Sequence, residues 1–353
     1  MFYYVVAALV ISAVVTYLLF PTIFRDLKIG FINYKVRLGV DLIQYVRGNF
    51  TLVDQWEITS KSYKDKTCIV FEGQSLSFET VDRQCNQYAH WALDSGYVRG
   101  DILALLSPNQ PAFFTVWMGL AKVGVESAFV NTNIRGDSLL HSIKVCKARA
   151  VLVDPSLLAH VEEIMASLEE SLVRVHVLPG AHAGHSNGIK LEDKSELTPP
   201  AIFRKNVTIA SPLYYIFTSG TTGLPKAAIM KHKKAMWVGY GYAALFRFTC
   251  TDRLYITLPQ YHSAATTVGF GCMITSGCTI VLKKKFSASK FWQDVFEGEV
   301  TVFQYVGELC RYLCNTPRNV YEDQHKLRLA FGNGLRPDVW DIFQVILSLL
   351  NLS

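Results

Sequence analysis

The sequence predicts an α/β protein: an N-terminal transmembrane helix followed by two βα-layered subdomains. Three observations carry that reading. Residues 1–24 hold no charged side chain. Beyond residue 60, short β-rich runs alternate with longer helical patterns, the rhythm of a parallel sheet covered by helices. A glycine- and proline-broken stretch over 179–212 then divides the alternation in two. Half of the 353 residues are hydrophobic, which suits about two domains.

As a helix rising ~1.5 Å per residue, 1–24 is long enough to cross a hydrocarbon core of ~30 Å. It lacks the basic leader and the small-x-small end of the alternative, a cleaved signal peptide. Arg25, Lys28, Lys35, Arg37 and Arg47 follow it against Asp26 and Asp41. The positive-inside rule therefore puts the body in the cytosol, with endoplasmic reticulum or plasma membrane as the bilayer. Within 25–60, "FINYKVRLGVDLIQYV" projects Asn33, Arg37, Asp41 and Gln44 onto one helical face. An interfacial helix on the bilayer and a first core helix of the body both fit this segment.

The first subdomain, 61–178, opens with "CIVF" and "SLSF" as a hairpin around Gly73. A helix from Glu79, a strand over Ile102–Leu106, a helix over 110–123, the strand "ESAFV", a helix from Asp137 and the strands "AVLVD" and "RVHVL" continue it. Residues 179–212 form the connecting loop. The second subdomain, 213–340, carries strands at "LYYIF", "LYITL", "CTIVL", "VTVFQYV" and "LRLAF". An apolar tail, 341–353, closes the sequence.

Composition removes several function classes. A net charge of +6 does not call for nucleic acid, and no nucleic-acid module is present, although the charge suits an anionic membrane face. Eight cysteines without a C-x-x-C spacing indicate reduced, buried thiols rather than a zinc site or a disulfide framework. His182 and His185 lie in a Gly/Ser-rich stretch with no third ligand nearby and read as a solvated loop.

The densest chemistry sits in "YYIFTSGTTGLPKAAIMKH", Tyr214 to His232. Thr218, Ser219, Gly220, Thr221, Thr222 and Gly223 offer hydroxyls and backbone N–H groups, and Lys226 adds a positive charge, which together suit phosphate oxygens. A plain polar hairpin turn would not need three threonines, two glycines, a serine and a lysine in nine residues. The Walker-type loop fails, because Pro225 stands where its second glycine is required and Ala227 follows the lysine instead of Ser or Thr.

"YIFTSGTTGLPK" instead resembles the signature of the adenylate-forming enzymes, which activate a carboxylate with ATP. "VNTNIRGDSLLH", "YITLPQYHSAA", "KKKFSASKFW", "VTVFQYVGELCRYLCN" and "GNGLRPDVW" are similar to the fatty acid transport protein branch, the very long-chain acyl-CoA synthetases. The resemblance runs from the N-terminal span to Trp340. It implies an AMP-binding N-terminal domain and the conversion of a long-chain or very-long-chain fatty acid, ATP and CoA to acyl-CoA, AMP and pyrophosphate, coupled to fatty acid uptake.

By that resemblance, Thr218 to Gly223 and Lys226 hold the ATP phosphates with Mg²⁺, and Tyr215 belongs to the same nucleotide signature. Lys226, Thr218 and His262 are the catalytic candidates, His262 beside the acyl and AMP pocket. Gly332, Asn333 and Gly334, after a strand and before Pro337, are placed against the adenine. Val306 and Gly307 are assigned to the acyl channel, although the same residues at helical spacing read equally as core. No metal ligand can be named. After Trp340 the family's later motifs and its C-terminal domain do not follow, so the sequence reads as a shortened synthetase, expected to be inactive alone. The alternative is a non-catalytic fatty-acid- or nucleotide-binding partner that associates with a full-length synthetase.

Overall fold

A computed structural model describes residues 2–179, 188–218 and 224–347. Twelve strands among these residues form two six-stranded sheets. In chain order they are β1 (Thr67–Phe71), β2 (Gln74–Ser77), β3 (Ile102–Leu106), β4 (Glu126–Phe129), β5 (Ala150–Val153) and β6 (Arg174–Val177). Then come β7 (Pro212–Thr218), β8 (Lys226–Lys231), β9 (Arg253–Ile256), β10 (Thr279–Leu282), β11 (Val302–Val306) and β12 (Leu329–Asn333).

One sheet runs β12-β11-β9-β10-β1-β2 and the other β6-β5-β3-β4-β7-β8. Both are parallel except at one edge, where β2 and β8 pair antiparallel to β1 and β7. The alternation is therefore an α/β fold, but the sheets do not follow the boundary at 179–212. The β1–β2 hairpin joins the sheet built from 253–333, and β7–β8 joins the sheet built from 102–177. Register explains the exchange: Ile69, Val70 and Phe71 pair with Ile280, Val281 and Leu282, a fully buried run that only a central position can use.

Local signals are satisfied where the sequence carries them. Glu72 and Gly73, both at positive φ, make the two-residue turn of the β1–β2 hairpin. Ser77 accepts the Thr80 N–H to start the helix Phe78–Asp94, and Thr51 and Asp54 form a reciprocal capping box for Leu52–Ser62. The main core lies between the sheets. Trp56, Phe114, Phe129 and Tyr214 join helices to both layers, with Phe129 stacked on Tyr214 at 4.8 Å. Lys122 is fully buried there, donating to Asp82 at 2.7 Å and Asn86 at 2.6 Å, while the Trp56 indole N–H donates to Asp82 at 2.7 Å.

At the N-terminus the expected single-pass span over 1–24 is corrected. Two helices, Phe2–Leu19 and Pro21–Arg47, take its place, because Pro21 lacks an N–H and starts a new helix rather than continuing the old one. No helix among the described residues is long and apolar enough to cross a membrane, and Met1 lies outside them. The second helix packs one face on the body through buried Val40, an Asp41–Lys233 ion pair at 3.4 Å and the Arg37 guanidinium over the Trp237 ring.

A helix over Pro337–Leu347 runs into the apolar tail and buries Val339 and Phe343, the latter 5.9 Å from the Tyr305 ring. Both side chains join the cluster of Tyr255, Phe303 and Ala330 on one face of the sheet that holds β9, β11 and β12. His182 and His185, and the tail beyond Leu347, lie outside the described residues.

Candidate functional site

Three of the sequence-derived site segments follow three neighbouring parallel strands. The Pro259–His262 loop follows β9, Val306 ends β11 with Gly307 directly after it, and Gly332 and Asn333 end β12 with Gly334 directly after them. Because β9, β11 and β12 are adjacent, these segments share the carboxyl end of one sheet, where open α/β sheets bind their ligands. Sequence spacing alone, with about seventy residues from His262 to Gly332, did not indicate that proximity.

Glycine is needed at this end for packing. A Cβ on Gly332 would meet the Tyr305 carbonyl oxygen at 2.1 Å, and one on Gly307 would meet the Gly334 carbonyl oxygen at 1.9 Å. Gly334 itself sits at φ +70°, open to an L side chain only under strain. Gly332, Asn333 and Gly334 remain exposed, so their backbone edge is available to a flat ligand. Val306 packs against the main core and Gly307 is buried, which makes both of them wall material of this loop pair.

The phosphate-type turn belongs to the other sheet. Thr218 ends β7 and pairs across the hairpin with Lys226, the first residue of β8. Strand alternation puts Thr218 on the side of Tyr214 and Ile216, which face the core between the sheets. Both Thr218 and Lys226 are exposed, and Lys226 has no ion pair with a described residue. Ser219, Gly220, Thr221, Thr222 and Gly223 lie outside the described residues. The same alternation sends Tyr215 to the opposite face. There its hydroxyl donates to Glu126 at 2.8 Å, and burial followed by that carboxylate raises its pKa. Burial likewise raises Glu126. Tyr215 thus supports the strand on the face opposite Thr218, in a cavity that Lys226 and His141 also line.

Side chains that the sequence reading missed tie the two sheets together. Asn109 donates to the Leu258 carbonyl at 2.9 Å and accepts the Gln260 N–H at 2.8 Å, while the Gln110 N–H donates to the Gln260 side-chain carbonyl at 2.8 Å. Asn133 donates to the Tyr261 hydroxyl at 3.3 Å, and Tyr214 and Thr267 share a hydrogen bond at 2.7 Å. The loops after β3 and β4, with β7 itself, therefore clamp the His262 loop. His141 donates to the Pro225 carbonyl at 3.1 Å and anchors the far limb of the turn. A run such as "SPNQP" signals a turn but says nothing about a partner 150 residues away.

His262 itself is exposed, with the Tyr261 ring 4.7 Å away, and partial desolvation lowers its pKa. That shift favours the neutral imidazole, which can donate one N–H without carrying charge. Immediately after it, Ala264–Phe270 forms a π-helix, a geometry that costs hydrogen-bond quality and recurs at functional sites. Among the described residues no group of three or more His, Cys, Asp or Glu could hold a metal ion.

The sequence pattern of the family described as "AMP-binding enzyme" matches residues 56–351. Long-chain fatty acid transport protein 6 of Mus musculus is 43% identical over 333 residues, covering 92% of this chain and 53% of that protein. Its Homo sapiens counterpart is 42% identical over 346 residues, covering 96% and 55%. This chain thus spans about half the length of these relatives. Among solved structures, an anthranilate CoA ligase in complex with anthranoyl-AMP superimposes with a TM-score of 0.77 at 18% identity, covering 86% of this chain and 59% of that one. A long-chain-fatty-acid-CoA ligase from Archaeoglobus fulgidus does so with a TM-score of 0.74 at 18% identity, covering 85% and 61%. At these identities the structural matches establish the fold.

Proposed function

The chain belongs to the AMP-binding enzyme family and is homologous over most of its length to the long-chain fatty acid transport proteins, and from that membership we propose that it carries the nucleotide-binding part of a fatty acid–CoA ligase. The substrates are a long-chain or very-long-chain fatty acid, ATP and CoA. The observation that carries this reading is the convergence of the His262, Gly307 and Gly334 loops on one sheet end, clamped to the β7–β8 hairpin.

A carboxylate is a poor electrophile. In the proposed reaction its oxygen attacks the α-phosphorus of ATP, pyrophosphate leaves, and the CoA thiol then displaces AMP from the acyl carbon. Lys226 and Thr218 neutralise and orient phosphate oxygens, which helps most where charge builds on the leaving pyrophosphate. Neutral His262 donates to an oxygen of the adenylate, and the Gly332–Gly334 edge receives the adenine. Mg²⁺ would accompany the nucleotide, neutralising charge on its phosphates. Membrane contact through the apolar N-terminal segment fits a water-insoluble acid as substrate.

The test is fatty-acid-dependent exchange of labelled pyrophosphate into ATP, measured on this chain and on the chain extended to the length of its relatives. Exchange in the extended form that Lys226→Ala reduces supports the reading. No fatty-acid-dependent exchange in either form overturns it.

A further inference from the structure

The helix Pro21–Arg47 presents a second apolar face that no described part of the body covers. Leu27, Phe31, Tyr34, Leu38, Leu42 and Tyr45 recur at intervals of three and four, so they form one stripe along the helix. All six are exposed, from 54% at Leu38 to 88% at Tyr45, whereas Val40 on the opposite face is 2% exposed. Exposed Tyr17, Leu18 and Phe20 continue the apolar surface into the preceding helix.

Charge accompanies the stripe along one edge. Lys28 and Lys35 flank it, the Lys35 ammonium 4.5 Å from the Phe31 ring centre. Behind them a cavity of about 750 Å³ separates the helix from the body, lined by Arg25, Asp26, Lys28, Arg247, Arg328 and Phe246 among others. Arg328 is held by Asp252 at 2.7 Å, which leaves a basic excess from Arg25, Lys28 and Arg247 against Asp26.

We propose that this helix lies in the plane of an anionic bilayer, its Leu27–Tyr45 stripe in the headgroup–acyl boundary and its Lys28–Lys35 edge against lipid headgroups. A long, two-faced helix with basic flanks and interfacial tyrosines has the composition of an in-plane element. Its other face is already occupied by the body, so the orientation is fixed: the catalytic domain sits on the membrane at the level of this helix. A second copy of the chain is the rival occupant, but it would bring the same basic edge against itself.

This assignment rests on the membrane contact proposed above, and one experiment separates the two. The full chain is prepared with photoreactive benzoylphenylalanine in place of Leu38, or of exposed Asn33 off the stripe, and is irradiated with phosphatidylcholine vesicles with and without phosphatidylserine. Lipid adducts at position 38 and none at 33, increased by phosphatidylserine, are expected. The combined Lys28→Glu and Lys35→Glu variant should weaken flotation with anionic vesicles about fivefold per charge and leave neutral vesicles unaffected. Flotation without an adduct at 38 overturns the assignment and keeps the membrane contact, whereas failure to float overturns both. A chain-to-chain crosslink at 38 overturns the assignment in favour of the second copy.

Discussion

The Gly334 carbonyl oxygen lies against the Cα of Gly307, so close that a Cβ there would stand 1.9 Å from it. The contact joins the turn after β11 to the turn after β12 and fixes the exposed edge proposed to receive adenine. Both partners are backbone, so neither can rotate away.

Gly307→Ala is therefore expected to push the Gly334 turn outward, at about 1–3 kcal/mol of strain. Affinity for a fluorescent ATP analogue should fall while the secondary structure, read by circular dichroism, stays intact. Unchanged affinity together with an unchanged melting temperature would mean that the turn moves freely and that the contact positions nothing.

How much of this was legible beforehand can be judged from particular residues. Ile102–Leu106 is a strand in sequence and in structure, since a short apolar run between turn signals has few other fates. The β1–β2 hairpin was equally local. Its sheet was not: pairing of Ile69 with Ile280 spans the chain, and no local pattern encodes it. β8 escaped notice because "KAAIMK" alternates weakly and its burial comes from one residue, Met230. At the site, Thr218, Lys226 and His262 were candidates because their types carry chemistry. Asn109, Asn133 and Thr267 were not, because a clamp is defined by its distant partner. Tyr215 falls on the face opposite Thr218, because a motif lists neighbours in order, whereas a strand sends alternate side chains to opposite faces.

The buried Lys122–Asp82–Asn86 cluster should behave as a closed unit. Lys122→Met leaves the Asp82 carboxylate without its cation beside the Trp56 indole, and a loss of about 3–5 kcal/mol is expected in urea denaturation. Adding Asp82→Asn to that variant removes the stranded charge and should recover part of the loss. If the double variant is less stable than the single one, the cluster is held by its hydrogen bonds and not by its charge pair.

His232, at the start of the helix after β8, supplies a pH dependence. Burial lowers its pKa to about 4 against an ordinary 6.5, with nearby Asp54 opposing, and its Nδ1 has no hydrogen-bond partner among the described residues. Because the folded value lies below the unfolded one, the unfolded chain takes up the proton first as pH falls. Stability is complete above about 6.5 and declines through the window down to about 4, by about 2 kcal/mol between pH 7 and pH 5. Urea midpoints at several pH values for the native chain and for His232→Gln check this. The variant should show a flatter profile over that window, and identical profiles would assign the acid sensitivity to other groups.

Lys226 offers the sharpest division between folding and function. It is exposed at the base of the β7–β8 hairpin, pairs in register with Thr218, and makes no ion pair with a described residue. Its removal should therefore change stability by no more than about 0.5 kcal/mol, the range of surface substitutions. A phosphate contact obeys a different rule. A charge-assisted hydrogen bond contributes about 1.5–3 kcal/mol, so Lys226→Ala should weaken ATP about ten- to hundredfold. The same contact makes affinity depend on salt, and the alanine variant should lose much of that dependence. Lys231, at the other end of β8 and on the opposite face by strand alternation, is the matched control: its alanine variant keeps both affinity and salt response. Titrations of a fluorescent ATP analogue at two ionic strengths, with melting curves for each variant, separate the cases. Equal losses at Lys226 and Lys231 would reduce the effect to general surface charge, and a lowered melting temperature at Lys226 alone would return the hairpin to a structural role.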